Sequence, residues 1–371
     1  MALAGFDSAQ FLRDYWQREP LLIQQGLPDY QCPIDGDDLA GLACEAEVES
    51  RLIAGKDKRW QLRNGPMEAS VFSELPSTHW TLLVQRVDQW FEEITALLRH
   101  FDFLPQWRIE DIMASYAVTG GGVGPHFDRY DVFLIQGSGQ REWRIGQRCD
   151  ESDVVLDSQP LRLLDEFHEQ ARYVLNPGDI LYIPPGVAHW GTALDDQCIT
   201  LSVGFRAPSL SQILERWWET LSADLTEDLR YRDTAATLAS GQTLDRRHID
   251  HLQSLLHDAL SDKTSLIASF GELVTEADDE TLPHPEPRAV PAKGVCRSLD
   301  SRITLYIDSP FSLLFANGMS MEIAPEAVEL LTDVCQLIPG DLLPDTLWVA
   351  LQKISPQAAS FLLSTRALTA E

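Results

Sequence analysis

The chain has 371 residues, enough for two or three domains with a substantial core, and its 44% hydrophobic and 9% aromatic content is that of a globular protein. Twenty-nine basic against 57 acidic residues leave a formal charge of −28, which repels nucleic-acid phosphates and anionic membrane and favours a basic partner. Six scattered cysteines without a Cys-x-x-Cys pair offer neither a structural zinc site nor a compact disulfide framework; no apolar run approaches the roughly 20 residues of a membrane span, and the N-terminus lacks a signal-like pattern, so a cytoplasmic protein is expected.

In chain order, Ser8 to Trp16 is amphipathic and helix-like, Pro20 stops it, and Leu21-Leu22-Ile23 reads as a strand. Asp38 to Leu52 has an acidic helical pattern. Trp80 to His100 presents Leu82, Leu83, Val84, Val87, Trp90, Phe91, Ile94, Leu97 and Leu98 at spacings that predict a longer helix packed outside a sheet. From Arg108 the pattern changes to short strands: Ile112 to Val118, Asp131 to Gln136, Arg141 to Ile145, Arg172 to Leu175, Ile180 to Ile183 and Cys198 to Phe205. Turn residues separate them as in an antiparallel sandwich or barrel. Gly120 to Gly124 leads into a strand, which is not the strand-to-helix setting of a phosphate-binding loop.

After Pro208 the chain turns helical to about Val274, with Ser209 and Gln212 in a capping-box pattern and adjacent Trp217 and Trp218, of which one points away from the local core. A proline-rich, acidic linker composition covers 276–292. Beyond it, strands are expected at Ile303 to Ile307 and Ser312 to Phe315, and helices at Pro325 to Leu337 and Leu347 to Ile354.

The chemistry concentrates in Gly124-Pro125-His126-Phe127-Asp128. Side chains alternate along an extended segment, so His126 and Asp128 share a face. An imidazole and a carboxylate side by side are two ligands of a 2-His-1-carboxylate iron site. His189, which follows the turn and strand of Pro177 to Gly186, fits as the third. Such an iron keeps positions open for 2-oxoglutarate and O2, and the keto acid needs a cation for its distal carboxylate. Arg141 is the candidate, because a guanidinium grips a carboxylate with two parallel hydrogen bonds. If Gly137 to Gln140 is a hairpin turn, Gln136 faces Arg141 on the side of His126 and Asp128. His248, His251 and His257 read instead as a solvated helix face.

Asp14 to Ile23, Gly124 to Phe133, Pro177 to His189 and Ser202 to Pro208 together resemble the Jumonji-C ribosomal oxygenases, and within them the bacterial branch that hydroxylates an arginine of a large-subunit ribosomal protein. The resemblance is specific over about residues 1–208. It implies a mixed α+β protein with a double-stranded β-helix (cupin/Jumonji-C) core: an oxygenase domain over 1–207, a helical dimerisation region over 208–275, a linker over 276–292 and a winged-helix-like domain over 293–371. It further implies Fe(II) on His126, Asp128 and His189, 2-oxoglutarate held by Arg141 and Ser115, and Ser202 near the substrate. The expected reaction decarboxylates the keto acid to succinate and CO2 while placing a hydroxyl on an unactivated carbon, Cβ of the target arginine. The expected partners are a basic ribosomal protein and a second copy of the chain, with no direct nucleic acid. Hydroxylation of histidine or of another basic protein is the nearest rival. A non-catalytic cupin-like regulator reading DNA through a winged helix is opposed by the charge and by the lack of a basic recognition helix.

Overall fold

The structure is a computed structural model that describes residues 2–56, 59–153, 155, 161–224, 230–239, 243–261, 263–276, 294–308 and 311–370. Helix α1 (Ser8–Asp14) is capped by Asp7, which accepts from the Gln10 N–H, and it buries Phe11. Strand β1 (Leu21–Ile23) follows, then α2 (Gly36–Leu42), where Asp35 and Asp38 form a capping box. The chain continues through β2 (Ser50–Lys56), β3 (Arg59–Asn64), α3 (Ser70–Ser73), β4 (Trp80–Val84), α4 (Glu92–Thr95), β5 (Ile109–Ala117), β6 (Asp131–Ser138), β7 (Arg141–Arg148), β8 (Ala171–Leu175), β9 (Ile180–Ile183), β10 (Val187–Ala193) and β11 (Cys198–Phe205).

These strands form an eight-stranded antiparallel sheet, ordered β1-β9-β6-β11-β5-β4-β2-β3, and a three-stranded sheet, β10-β7-β8. Side chains of both sheets meet in one apolar cluster: Val132, Leu134, Leu181 and Ile183 from the large sheet, Trp143, Ile145, Leu175 and Val187 from the small one. The interior of this closed double sheet is where the site lies. The opposite face of the large sheet carries Ile112, Ala114, Leu201 and Val203, and it packs with Phe11, Ile94, Leu98 and Phe101 into the main core. The expected double-stranded β-helix is therefore present, with helices on its outer side.

Two expected helices are corrected. The Trp80 to His100 stretch opens as β4, paired with β2 and β5, so that Leu82 and Val84 face the main core while Leu83 turns to the other side. Arg86, at φ 55°, ends that segment; short 3-10 turns at Val87–Gln89 and Ala96–Phe101 flank α4. A run of consecutive apolar residues satisfies a period of 2 as well as 3.6, and pairing partners on both sides decided for the strand. The Asp38 to Leu52 pattern likewise divides, α2 ending at Leu42 and β2 beginning at Ser50. The short strands expected after Arg108 are all present, some with ends shifted by a few residues, and β10 is an additional strand.

Helices α5 (Leu210–Asp224), α6 (Ala235–Leu238), α7 (Arg246–Ala259) and α8 (Lys263–Thr275) follow. Ser209 and Gln212 exchange the expected capping hydrogen bonds. Trp217 donates to Ser265 Oγ at 2.9 Å, whereas Trp218 is 59% exposed. Of the 276–292 stretch, all but Glu276 lies outside the described residues. The last segment comprises β12 (Val295–Arg297), β13 (Ile303–Ile307), β14 (Ser312–Ala316), β15 (Met319–Ile323), α9 (Val328–Gln336), α10 (Asp345–Ile354), α11 (Pro356–Ser364) and β16 (Leu368–Ala370), with its own core around Leu314, Leu331, Leu351 and Leu362. One of its residues, Ile338, is buried in the main core instead. No helix of the described residues is long and apolar enough to cross a membrane, and the six cysteines are free thiols.

Candidate metal and cosubstrate site

His126 and His189 oppose each other across an antiparallel bridge, exchanging both backbone hydrogen bonds at 3.1 and 2.8 Å. Directly opposed residues project to the same side, and their imidazole centroids lie 4.3 Å apart. Further bonds flank this pair on both sides: Gly120 and Gly121 bond to Ala193, and the Gly186 N–H donates to the Asp128 carbonyl at 2.7 Å. Two glycines permit this close approach. A Cβ on Gly122 would lie 2.2 Å from the Gly191 carbonyl, and one on Gly191 would lie 2.7 Å from the Trp143 ring.

Each histidine is turned by its own main chain. Nδ1 of His126 bonds the Gly124 carbonyl at 2.9 Å and Nδ1 of His189 bonds the Val187 carbonyl at 3.0 Å. With Nδ1 as the donor, Nε2 of each ring keeps its lone pair for a metal. Asp128 Oδ2 lies 3.5 Å from His189 Nε2, and one ligand atom from each of the three residues falls within 4.8 Å of the others. Burial, and then His126, push His189 down to about 4, which keeps the imidazole in the neutral, ligating form. A His-Asp-His metal site is thus present, and among the described residues no other cluster offers a comparable ligand set. His248 instead bonds Asp245, and His251 bonds the Arg232 carbonyl.

Arg141 is 5% exposed. Its strand neighbours Ala193 and Leu175 place it with Trp143 and Ile145 on the inward face of the small sheet. The guanidinium lies over Trp143 at 5.7 Å from the ring centroid, which itself stands 5.8 Å from the His189 ring. Nε of Arg141 donates to Cys198 Sγ at 3.4 Å, whereas buried Nη2 has no hydrogen-bond partner. A buried, unsatisfied guanidinium nitrogen costs free energy on the order of 1–3 kcal/mol or more, and a ligand carboxylate would satisfy it. The residues therefore fit both a divalent metal and an anionic cosubstrate. The expected hairpin between Gln136 and Arg141 is corrected: β6 and β7 belong to different sheets, and Gly139, at φ +61°, carries the crossing. The two side chains meet all the same, since Gln136 Nε2 lies 3.4 Å from the same Cys198 Sγ. Small Ala117, Ala193 and Cys198 make the room behind them.

Ser115 and Ser202 are buried in the large sheet. Ser115 pairs with Thr200 and Leu83, Ser202 with Met113 and Leu134, so both belong to the inward face that holds Leu134. Sequence reasoning placed Gln136 on this side but missed two neighbours, Cys198 and Asp111. Parity with Ser115 along β5 was the available signal for Asp111. Its Oδ2 accepts from the Arg86 N–H at 3.0 Å; burial, and then the Asp88 carboxylate, push its carboxyl up to about 8. The Tyr130 hydroxyl is raised as well, by partial burial and then by Asp128 and Asp111. Next to it, Asp131 anchors the start of β6 by accepting from Tyr182, Gln17 and Arg108 at 2.6, 3.1 and 3.0 Å.

The JmjC domain family model matches residues 96–213, and the AraC-like ligand binding domain model matches residues 165–273. Among curated proteins, the ribosomal protein uL16 3-hydroxylase of Escherichia coli is 38% identical over 285 residues, covering 75% of this chain and 74% of that one. The probable ribosomal oxygenase of Haemophilus influenzae is 37% identical over 328 residues, covering 83% and 80%. The X-ray structure of E. coli YcfD superposes with a TM-score of 0.83 at 30% identity, covering 100% of both chains. The structure of YcfD in complex with cobalt and 2-oxoglutarate gives 0.79 at 31%, covering 100% and 99%.

Proposed function

The chain belongs to the Jumonji-C ribosomal oxygenases, and on that premise we propose that it hydroxylates an arginine side chain, at Cβ, of a large-subunit ribosomal protein, using Fe(II), 2-oxoglutarate and O2. The observation that carries the reading is the unpartnered, buried Nη2 of Arg141, whose guanidinium lies over the same Trp143 ring that meets His189 of the triad. In this reading the triad would hold the iron; the E. coli relative's structure is a complex with cobalt and 2-oxoglutarate. Arg141 takes the distal carboxylate of 2-oxoglutarate, assisted by Ser115. Bound there, iron would supply oxygen activation coupled to oxidative decarboxylation of the keto acid. The protein's own residues orient and exclude: Trp143 and Leu134 keep the interior apolar, and Cys198 Sγ accepts from the guanidinium while Gln136 bonds the same sulfur.

Arginine as the target rests on Asp111 and Tyr130, on the side of Ser202 and Met113. A carboxyl that desolvation and Asp88 raise more than Arg86 lowers it would be steadied as an anion by a second guanidinium entering there. The −28 charge suits a basic substrate, and the E. coli relative's name makes uL16 the first candidate. The remaining parts of the reading are a cytoplasmic homodimer and the division 1–207, 208–275, 276–292 and 293–371. Exposed Leu210, Leu214 and Trp218 on α5 and Leu252 and Leu256 on α7 support the helical segment as the dimer face.

Intact-mass measurement of ribosomal proteins from cells with and without this chain tests the function. One large-subunit protein should lose the mass of one oxygen atom on deletion. An unchanged set of masses sinks the proposal, and loss from a histidine moves it to the rival target.

A further inference from the structure

Glu110 precedes Asp111 on β5, and two guanidinium groups from distant parts of the chain close on it. Arg302, at the entrance to β13 and 7% exposed, donates through Nη2 to the Glu110 carbonyl at 3.2 Å, with the same nitrogen 3.5 Å from Glu110 Oε1. Arg206, at the end of β11, pairs with Glu110 Oε2 at 2.5 Å. Both arginines also donate to the carbonyl of Glu276 just beyond α8, at 2.8 and 3.1 Å, where cations complement the negative end of a helix. Arg216 of α5 reaches the Glu276 carboxylate at 3.1 Å. Neighbouring contacts make the seam firm: Ile338 is buried in the main core, Arg99 pairs with Asp341, and Trp107 meets Phe270 edge-on at 5.9 Å.

The carbonyl that Arg302 holds belongs to the peptide joining Glu110 to Asp111. We propose that Arg302, and through it the segment after 294, positions the substrate side of the pocket: it fixes the 110–111 peptide and hence the Asp111 carboxylate that receives the substrate guanidinium. Arg302 is a positioning residue, since it touches neither metal nor substrate. The inference rests on the role of Asp111 given under Proposed function. A purely architectural seam would have no reason to act on one ligand more than another, whereas a clamp on this peptide acts on the polypeptide substrate and spares the 2-oxoglutarate end.

The test uses the full-length, iron-loaded protein and a basic peptide of the ribosomal substrate. Arg302→Ala should raise the peptide KM about tenfold and lower the fraction of 2-oxoglutarate turnover that yields hydroxylated peptide, with the 2-oxoglutarate KM changed less than about twofold. Arg302→Lys, which keeps the charge without the fork of donors, should recover part of the loss. Glu110→Gln, which keeps the carbonyl, should cost less than Arg302→Ala. Ile338→Ala loosens the same seam away from Glu110 and should lower the unfolding temperature without moving the peptide KM. A peptide KM unchanged in Arg302→Ala, an equal rise in both KM values, or an equal rise in Ile338→Ala overturns the positioning role. Asp111→Asn separates the two claims: if it leaves the peptide KM unchanged, the substrate reading itself fails, whatever Arg302 does.

Discussion

The two ends of the pocket are built by different means. At the metal end, ligands are placed by main chain: His126 and His189 exchange backbone hydrogen bonds, each imidazole is fixed by a carbonyl two residues away, and glycines let the strands close up. At the proposed substrate end, Asp88 raises the Asp111 carboxyl, and its neighbour Glu110 is held by Arg206 and Arg302 from far along the chain. Local backbone placement makes the first end rigid and independent of remote substitutions. Long-range ion pairs tie the second to remote segments, so it responds to substitutions far along the chain.

The sharpest way to break this contrast is at the ligands. Alanine at His126, Asp128 or His189 should lower kcat at least about 10^3-fold, because a metal centre supplies several kcal/mol of the barrier lowering; the fold should persist, with unchanged far-ultraviolet circular dichroism. Loss of fold with loss of activity would mean that the triad is a core feature.

Next in size is Arg141→Met, which removes the guanidinium but keeps most of the stem. The 2-oxoglutarate KM should rise about 100-fold, the cost of losing a charge-assisted pair of bonds to a carboxylate, with the peptide KM little changed. Steady-state kinetics with each component varied in turn measures both.

The substrate end should respond to pH where the metal end does not. With Asp111 raised to about 8 in the free enzyme, only its anion pairs with a guanidinium, so peptide kcat/KM should rise about tenfold between pH 7 and pH 9. The sign follows from the raised value, since binding improves as the carboxyl deprotonates. Asp111→Asn should flatten that limb. A profile that keeps its slope in the variant assigns the titration to another group.

The smallest effect is expected at Ser115. Its hydroxyl makes only a long 3.4 Å bond to the Thr200 carbonyl, so Ser115→Ala should raise the 2-oxoglutarate KM a few-fold, the worth of about one hydrogen bond.

The same contrast explains what the sequence made legible. His126, Asp128, His189 and the small-sheet face of Arg141 could be found because turn residues and alternation fix them locally. The Gln136–Arg141 hairpin failed because a sharp turn looks alike whether the chain stays in one sheet or crosses to the facing one. Trp80 to His100 failed because β4 is a strand only by virtue of β2 and β5 beside it. Glu110, next to Asp111, and Arg302 lie 192 positions apart, and no local pattern announces a contact at that distance.

Tandem mass spectrometry of a basic uL16 peptide after turnover with Fe(II) and 2-oxoglutarate, wild type and His189→Ala side by side, tests the central claim most directly. Wild type should add one oxygen to Cβ of a single arginine and the variant none. Equal oxygen incorporation by both proteins, or none by either, would contradict it.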